Sequence, residues 1–235
     1  MPIRPLKAWL KSVDHAVEGI LYGTKSQRHM KYHLFTAAVV IFSSYALGLS
    51  KSDFVIVSLS VILVIFAEMI NSSIETIIDL LSPEYSEKGR IAKDIAAGAV
   101  FITAFGAAII GYMIFIPYIK SLIQYGLNIP KHPHEDIILI SLILVFITVI
   151  LIKSYFGKGH PLSGGMPSGH AAIAFSIWIA VTYSTRNFVA SILCFILAVL
   201  IAQSRVLVRV HSQLEVTIGA LIGSILTLLL FRLFT

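Results

Sequence analysis

The chain has 235 residues, of which 57% are hydrophobic and 13% charged, and its mean hydropathy is +0.89. Soluble domains are about 45–50% apolar and about 25% charged, so this composition excludes an ordinary soluble domain and indicates an integral membrane protein. The net charge of +6 is compatible with nucleic acid, but the Lys and Arg residues lie between apolar stretches. That distribution argues against nucleic acid and favours anionic lipid as the partner.

The first segment, residues 1–31, predicts an amphipathic helix. Trp9, Val13 and Val17 belong to an apolar stripe opposite Lys7, a pattern that suits a helix lying on the membrane surface. A helix packed on the rest of the bundle is the alternative.

Apolar stretches of membrane-spanning length follow. A spanning helix needs about 20 mostly apolar residues. Seven stretches are candidates: residues 32–49, 54–81, 94–118, 136–152, 170–184, 188–203 and 216–234. The predicted fold is therefore an all-α, polytopic membrane helical bundle. The stretch 119–135 contains Pro and Gly and predicts a linker between two domains, at 1–118 and 136–235.

Positive charge predicts the orientation. If the N-terminus is cytoplasmic, most of the 18 Lys and Arg residues lie on the cytoplasmic side, as the positive-inside tendency requires. The expected location is the cell inner (cytoplasmic) membrane, and both sites described below are predicted to face the cytoplasm.

The second predicted span carries a polar face. Glu68, Asn71, Ser72, Glu75 and Asp79 follow one another at helical spacing. A carboxylate inside a spanning helix costs about 2.5 kcal/mol or more near its centre, so such residues usually have a function or a specific partner. This face could bind a hard cation through oxygen ligands, supply a general base, or join helices by hydrogen bonds.

The run EMINSSIETIIDLLSPEYSEKGRIAKDIAAGA, which starts at Glu68, resembles the prokaryotic diacylglycerol kinase and undecaprenol kinase family, across residues 5–118. The resemblance implies a three-helix, usually trimeric membrane kinase that uses Mg²⁺ and ATP to phosphorylate diacylglycerol or undecaprenol. It assigns Glu68 as catalytic base, Glu75 as metal ligand, and Asn71, Lys93 and Asp94 to the nucleotide site. Where the family has a second metal-binding glutamate this chain has Gln27, which keeps an oxygen ligand but lacks the charge, so metal affinity should fall.

The second half contains three clusters: KSYFGKGHP from Lys153, PSGH at residues 167–170, and SRVLVRVHSQLE from Ser204. They resemble the type 2 phosphatidic acid phosphatase superfamily, whose patterns are K-x6-R-P, P-S-G-H and S-R-x5-H-x3-D, and the resemblance covers residues 136–235. It implies a phosphatase that needs no cofactor.

The residue types suit phosphoryl chemistry. Lys153 and Arg205 can neutralise a phosphate, and the Ser168 hydroxyl and the Gly169 N–H add donors at the start of a helix. His211 can then attack phosphorus to give a phosphohistidine intermediate.

Two further residues complete the predicted phosphatase site. Glu215 can fix the imidazole tautomer of His211. His170 is predicted to protonate the leaving alkoxide and then to activate water. The alternative reading of both histidines is that they are buried structural residues.

The clusters depart from the family patterns at two positions. His160 replaces the arginine before proline, which makes one phosphate contact pH-dependent, and Glu215 replaces an aspartate. Neither change removes the predicted nucleophile or the predicted acid.

The sequence therefore predicts a lipid phosphate phosphatase fused to a lipid kinase-like domain, in a homo-oligomer, with a trimer expected from the kinase resemblance. Lipid phosphates or lipid alcohols are the expected substrates. A lipid kinase alone, or a noncatalytic lipid-binding or assembly protein with decayed sites, are the alternatives.

Overall fold

The computed structural model describes residues 3–82, 84–126, 129–156 and 165–235, and every regular element in these ranges is an α-helix. The helices are α1 (Ile3–Ser26), α2 (Arg28–Ala46), α3 (Lys51–Leu81), α4 (Glu87–Tyr125), α5 (His134–Phe156), α6 (Gly169–Thr185), α7 (Phe188–Leu207) and α8 (Gln213–Phe234). The all-α prediction is confirmed. The chain forms two compact units, one of residues 27–130 and one of residues 1–26 with 131–235.

Among the residues that the structure describes, five helices are long and apolar enough to cross a membrane: α3, α4, α5, α7 and α8. The prediction of a multi-pass membrane protein is confirmed, but the count of seven spans is not. Helix α6, which contains the predicted span 170–184, has 17 residues and is shorter than the other candidates. Helix α2, which overlaps the predicted span 32–49, begins with several charged and His residues that lower its hydropathy.

The predicted linker is partly helical. Helix α4 continues through Pro117 to Tyr125, because Ile119, Leu122 and Ile123 prolong its apolar content. It ends at Gly126, whose φ of 80° is a conformation that glycine adopts without strain.

In the unit of residues 27–130, the buried side of α3 has the helical spacing that the sequence predicts. Its buried residues are Val57, Ser60, Val64, Glu68 and Asn71. The start of α3 is joined to α4 by Tyr118, whose hydroxyl donates to Asp53 Oδ2 at 2.8 Å and accepts from the Ser50 N–H at 3.0 Å. The polar face is therefore carried on a long helix that is anchored at its start.

In the other unit, α6 packs very closely on α8. A Cβ added at Gly219 would lie 2.3 Å from the backbone oxygen of Ser168, and one at Gly223 would lie 1.9 Å from that of Ala172. Small residues four apart allow such an approach of two helices inside a membrane. The pair Gly219 and Gly223 thus determines where the first turn of α6 lies.

Helix α1 belongs to this second unit, where it packs against α5. Leu21 and Thr24 are buried, at 2% and 0% exposed. The amphipathic pattern predicted the helix but not the neighbour that it packs on. The domain boundaries at 118 and 136 stay predictions.

Candidate active sites

His211 lies in the short connection between α7 and α8, and the start of α8 orients it. Ser212 caps the helix by accepting from the Glu215 N–H at 3.3 Å, while Glu215 Oε2 accepts from the Ser212 N–H at 3.2 Å. This reciprocal arrangement is a capping box. The same carboxylate oxygen lies 2.8 Å from His211 Nδ1, so the capping residue also holds the imidazole.

The protonation of His211 follows from its surroundings. The residue is 5% exposed. Burial lowers the pKa of His211 below its ordinary value, the hydrogen bond with Glu215 opposes that shift, and the positive charges of Lys153 and Arg205 add to it. The imidazole is therefore neutral at pH 7, which is the form that can act as a nucleophile.

Lys153, Gly169, His170 and His211 line one cavity of about 240 Å³. Lys153, in the last turn of α5, is 6% exposed, whereas His170, in the first turn of α6, is exposed. His170 is within electrostatic range of His211, Lys153 and Arg205. Two imidazoles and the Lys153 ammonium group thus line one cavity.

Backbone contacts fix the position of Arg205 relative to His211. Arg205 is in the last turn of α7, and its carbonyl oxygen accepts from the His211 N–H at 3.2 Å and from the Val210 N–H at 3.1 Å. The chain reverses at Arg209, which has a φ of 56°. The close spacing of these residues in the sequence is therefore preserved in space.

Ser168 directly precedes the first residue of α6, makes no capping hydrogen bond through its side chain, and is 0% exposed. Its N–H donates to the Glu215 carbonyl at 2.9 Å, which joins the two predicted motifs directly. Its Oγ has no hydrogen-bond partner among the residues that the structure describes. A buried hydroxyl without a partner costs about 1–3 kcal/mol, so this atom is typical of a donor that awaits a ligand.

His160 lies within 157–164, outside the described residues, and its predicted phosphate contact stays a prediction. Sequence reasoning missed the residues of α1 that line the cavity: Val13, Asp14, Val17 and Leu21. The helical spacing of Val13, Val17 and Leu21 predicts that one side of α1 is buried. It does not predict which helix or cavity that side contacts.

In the unit of residues 27–130, the polar face of α3 contacts Gln27, the residue that precedes α2. Gln27 Nε2 donates to Glu75 Oε2 at 2.9 Å, and Asn71 Nδ2 donates to Glu75 Oε1 at 2.9 Å. Both carboxylate oxygens of Glu75 therefore accept from amide groups. Glu68 is buried on the same helix, at 4% exposed.

This geometry bears on the magnesium ion that the kinase resemblance implies. A hard cation needs several oxygen ligands, preferably carboxylates. Here the predicted ligands Gln27 and Glu75 contact each other, and no group of three or more His, Cys, Asp or Glu residues suited to a metal occurs within the described ranges. In this arrangement the residues do not fit the ion.

The other predicted kinase residues lie at the start of α4. Lys93 forms an ion pair with Asp79, and Asp94 pairs with Arg90 at 2.7 Å. Lys93 and Arg90 line a cavity of about 300 Å³ that also includes Asp79 and Glu84. The lining residues do not include Asn71 or Asp94, so the three predicted nucleotide contacts do not line a common cavity.

Comparison with known proteins supports both family resemblances, one for each half of the chain. The model of the prokaryotic diacylglycerol kinase family matches residues 14–115, and that of the PAP2 superfamily matches residues 101–235. A diacylglycerol kinase of Synechocystis sp. is 35% identical over 48% of this chain and 65% of its own length. An undecaprenol kinase of Bacillus subtilis is 32% identical over 48% of this chain and 91% of its own length.

A diacylglycerol kinase of Haemophilus influenzae is 29% identical over 40% of this chain and 79% of its own length. The chain thus spans just under two thirds of the Synechocystis relative. No solved structure matches this chain.

The helices and the two sites define a multi-pass membrane protein with two phosphate-handling families in one chain. The chain belongs to the PAP2 superfamily and, in its first half, to the prokaryotic diacylglycerol kinase family.

Proposed function

We propose that this protein is an integral membrane lipid phosphate phosphatase that works through a phosphohistidine intermediate. The observation that carries the proposal is the shared cavity of Lys153, His170 and His211, with His211 held by Glu215 at 2.8 Å. A nucleophile with an orienting carboxylate, a second imidazole and a cation are the groups that metal-free phosphoryl transfer requires.

In the first step, Nε2 of His211 attacks phosphorus while Glu215 holds Nδ1. The N–P bond forms and the bond from phosphorus to the lipid oxygen breaks. Protonated His170 gives its proton to that oxygen, and the lipid alcohol leaves. Lys153 and Arg205 neutralise the phosphoryl oxygens, and the Ser168 hydroxyl donates to one of them.

In the second step, water attacks the phosphohistidine. His170, now neutral, takes a proton from the water, the N–P bond breaks, and inorganic phosphate leaves. His170 is exposed and can exchange protons with water between the steps. Both reactions need one pocket in which the two imidazoles approach the same phosphorus, and the cavity that both residues line supports this requirement.

For the kinase-like unit we propose a scaffold or lipid-binding role. Its family suggests ATP as a substrate. The amide contacts on both oxygens of Glu75 favour the scaffold, because they take the place of the cation that phosphoryl transfer from ATP depends on. The same proposal includes a location in the inner membrane, a cytoplasmic N-terminus and a homo-oligomer, which the kinase resemblance predicts to be a trimer.

The test is a panel of substrates offered to the purified full-length protein in detergent. Phosphatidic acid, phosphatidylglycerol phosphate and undecaprenyl phosphate are supplied with a metal chelator, and phosphate release is measured. Diacylglycerol and undecaprenol are supplied with magnesium and labelled ATP. We expect phosphate release in the first set and no labelled lipid in the second. Lipid labelling without phosphate release would contradict the proposal and favour a lipid kinase.

A further inference from the structure

Helix α1 forms a wall of the phosphatase cavity. Val13, Val17 and Leu21 follow one another at intervals of one helical turn and line it. Leu21 is 2% exposed, Val17 is half-buried and Val13 is 41% exposed. Exposure therefore increases along this stripe from Leu21 to Val13, so the wall is closed at Leu21 and open at Val13.

Apolar residues of two other helices also line the cavity. Phe146, Val149 and Ile150 contribute from α5, and Ile173 contributes from α6. The polar lining residues are Asp14, Lys153, His170 and His211. A cavity that combines groups for an anion with hydrocarbon walls suits an amphiphile, whereas a site for free phosphate needs no apolar walls.

The origin of this wall is unexpected. The kinase-family model matches residues 14–115, which include Asp14, Val17 and Leu21. In the structure these residues belong to the unit of residues 1–26 and 131–235, where they line the cavity with His170 and His211. A segment that the kinase-family model includes thus contributes to the cavity of the phosphatase-like unit.

We propose that α1 is a substrate-binding wall of the phosphatase site, and that Val17 contacts the hydrocarbon next to the phosphate ester of a lipid phosphate. The inference rests on the proposed phosphatase function. It assigns the apolar part of the cavity to the first carbons of the lipid tail and predicts a preference for lipid phosphates over water-soluble phosphomonoesters.

The first experiment uses kinetics. Val17→Phe fills the space beside Leu21, whereas Ala16→Phe puts the same ring on an exposed part of the helix. For Val17→Phe, kcat/KM for dodecyl phosphate should fall about 10-fold, because the ring occupies the space proposed for the first carbons of the tail. Its kcat/KM for the water-soluble ester glycerol 3-phosphate, which has no hydrocarbon tail, should fall much less, and neither value should change in Ala16→Phe. Equal effects on both substrates, or none, would overturn the inference.

The second experiment measures binding without turnover. In a Cys194→Ala background, which removes the one native cysteine, Val17→Cys and Ala16→Cys are labelled by a small thiol reagent. Dodecyl phosphate should slow labelling at position 17 but not at position 16, and inorganic phosphate should slow neither.

The two experiments separate the inference from the function on which it rests. Protection at position 17 without phosphate release from any substrate would keep the wall and overturn the phosphatase proposal. Phosphate release from lipid phosphates with equal protection at both positions, or with none, would overturn the wall and keep the phosphatase.

Discussion

Oε2 of Glu215 lies 2.8 Å from Nδ1 of His211 and 3.2 Å from the backbone nitrogen of Ser212. One carboxylate oxygen therefore caps α8 and orients the imidazole. A glutamate at the third helical position is the residue that a capping box uses. This explains how Glu215 can serve where the superfamily pattern has the shorter aspartate.

Glu215→Gln tests this contact through pH. Glu215 opposes the lowering of the pKa of His211, so its loss should lower that pKa further. The neutral, nucleophilic imidazole then persists to lower pH, and the acid limb of kcat/KM should move to lower pH. The maximum should fall about 10-fold, because the orienting charge is lost. The measurement is the pH profile of phosphate release. Glu135→Gln, at the start of α5, is the control, and an acid limb that does not move would refute the assignment.

Gly219→Ala tests the close approach of α6 and α8. The new Cβ would lie 2.3 Å from the Ser168 oxygen, so the first turn of α6 must shift, and overpacking of this kind costs about 1–3 kcal/mol. Thermal unfolding in detergent should show a lower Tm, and phosphate release should fall because Ser168 and His170 move. A Cβ at Gly98 meets no atom within 4 Å, so Gly98→Ala is the control. Equal Tm values for the two variants would contradict the packing argument.

Gln27→Glu tests the kinase-like site. The variant places a second carboxylate against Glu75, which Gln27 now contacts through its amide at 2.9 Å. Two carboxylates repel each other and favour a bound cation. Magnesium should raise the Tm of Gln27→Glu, because a ligand that binds the folded state stabilises it. Wild type and Gln124→Glu, an exposed change in α4, should show no such rise. A magnesium-dependent Tm in wild type would show that Glu75 already holds the ion.

Asp14→Asn tests the charge balance of the phosphatase cavity. Asp14 is the carboxylate among the described lining residues, and it should disfavour substrates with additional negative charge. Its removal should raise kcat/KM for a lipid pyrophosphate relative to the monophosphate, by about 5-fold for a loss of about 1 kcal/mol of repulsion. Glu18→Gln on the same helix should leave the ratio unchanged. The same ratio in both variants would exclude Asp14 from specificity.

Much of this organisation could be predicted from the sequence, because it depends on local spacing. The polar face of α3 follows helical periodicity. His211 and Glu215 are four residues apart in the sequence, a spacing that brings their side chains together at the start of α8. The relation of Lys153 to His170 was predicted only through the motif resemblance, since it depends on how α5 packs against α6. The position of α1 could not be predicted, because an amphipathic stripe does not specify its partner. The hydrogen bonds of Glu75 depend on side-chain positions that the spacing leaves open.

The most direct measurement is a rapid alkaline quench of the wild-type protein with ³²P-labelled phosphatidic acid, followed by peptide mapping under alkaline conditions, in which phosphohistidine is stable. The label should appear on His211 within one turnover, and His211→Ala should show neither the label nor phosphate release, while His29→Ala should show both. Phosphate release from His211→Ala at the wild-type rate would contradict the proposed nucleophile and with it the phosphatase mechanism.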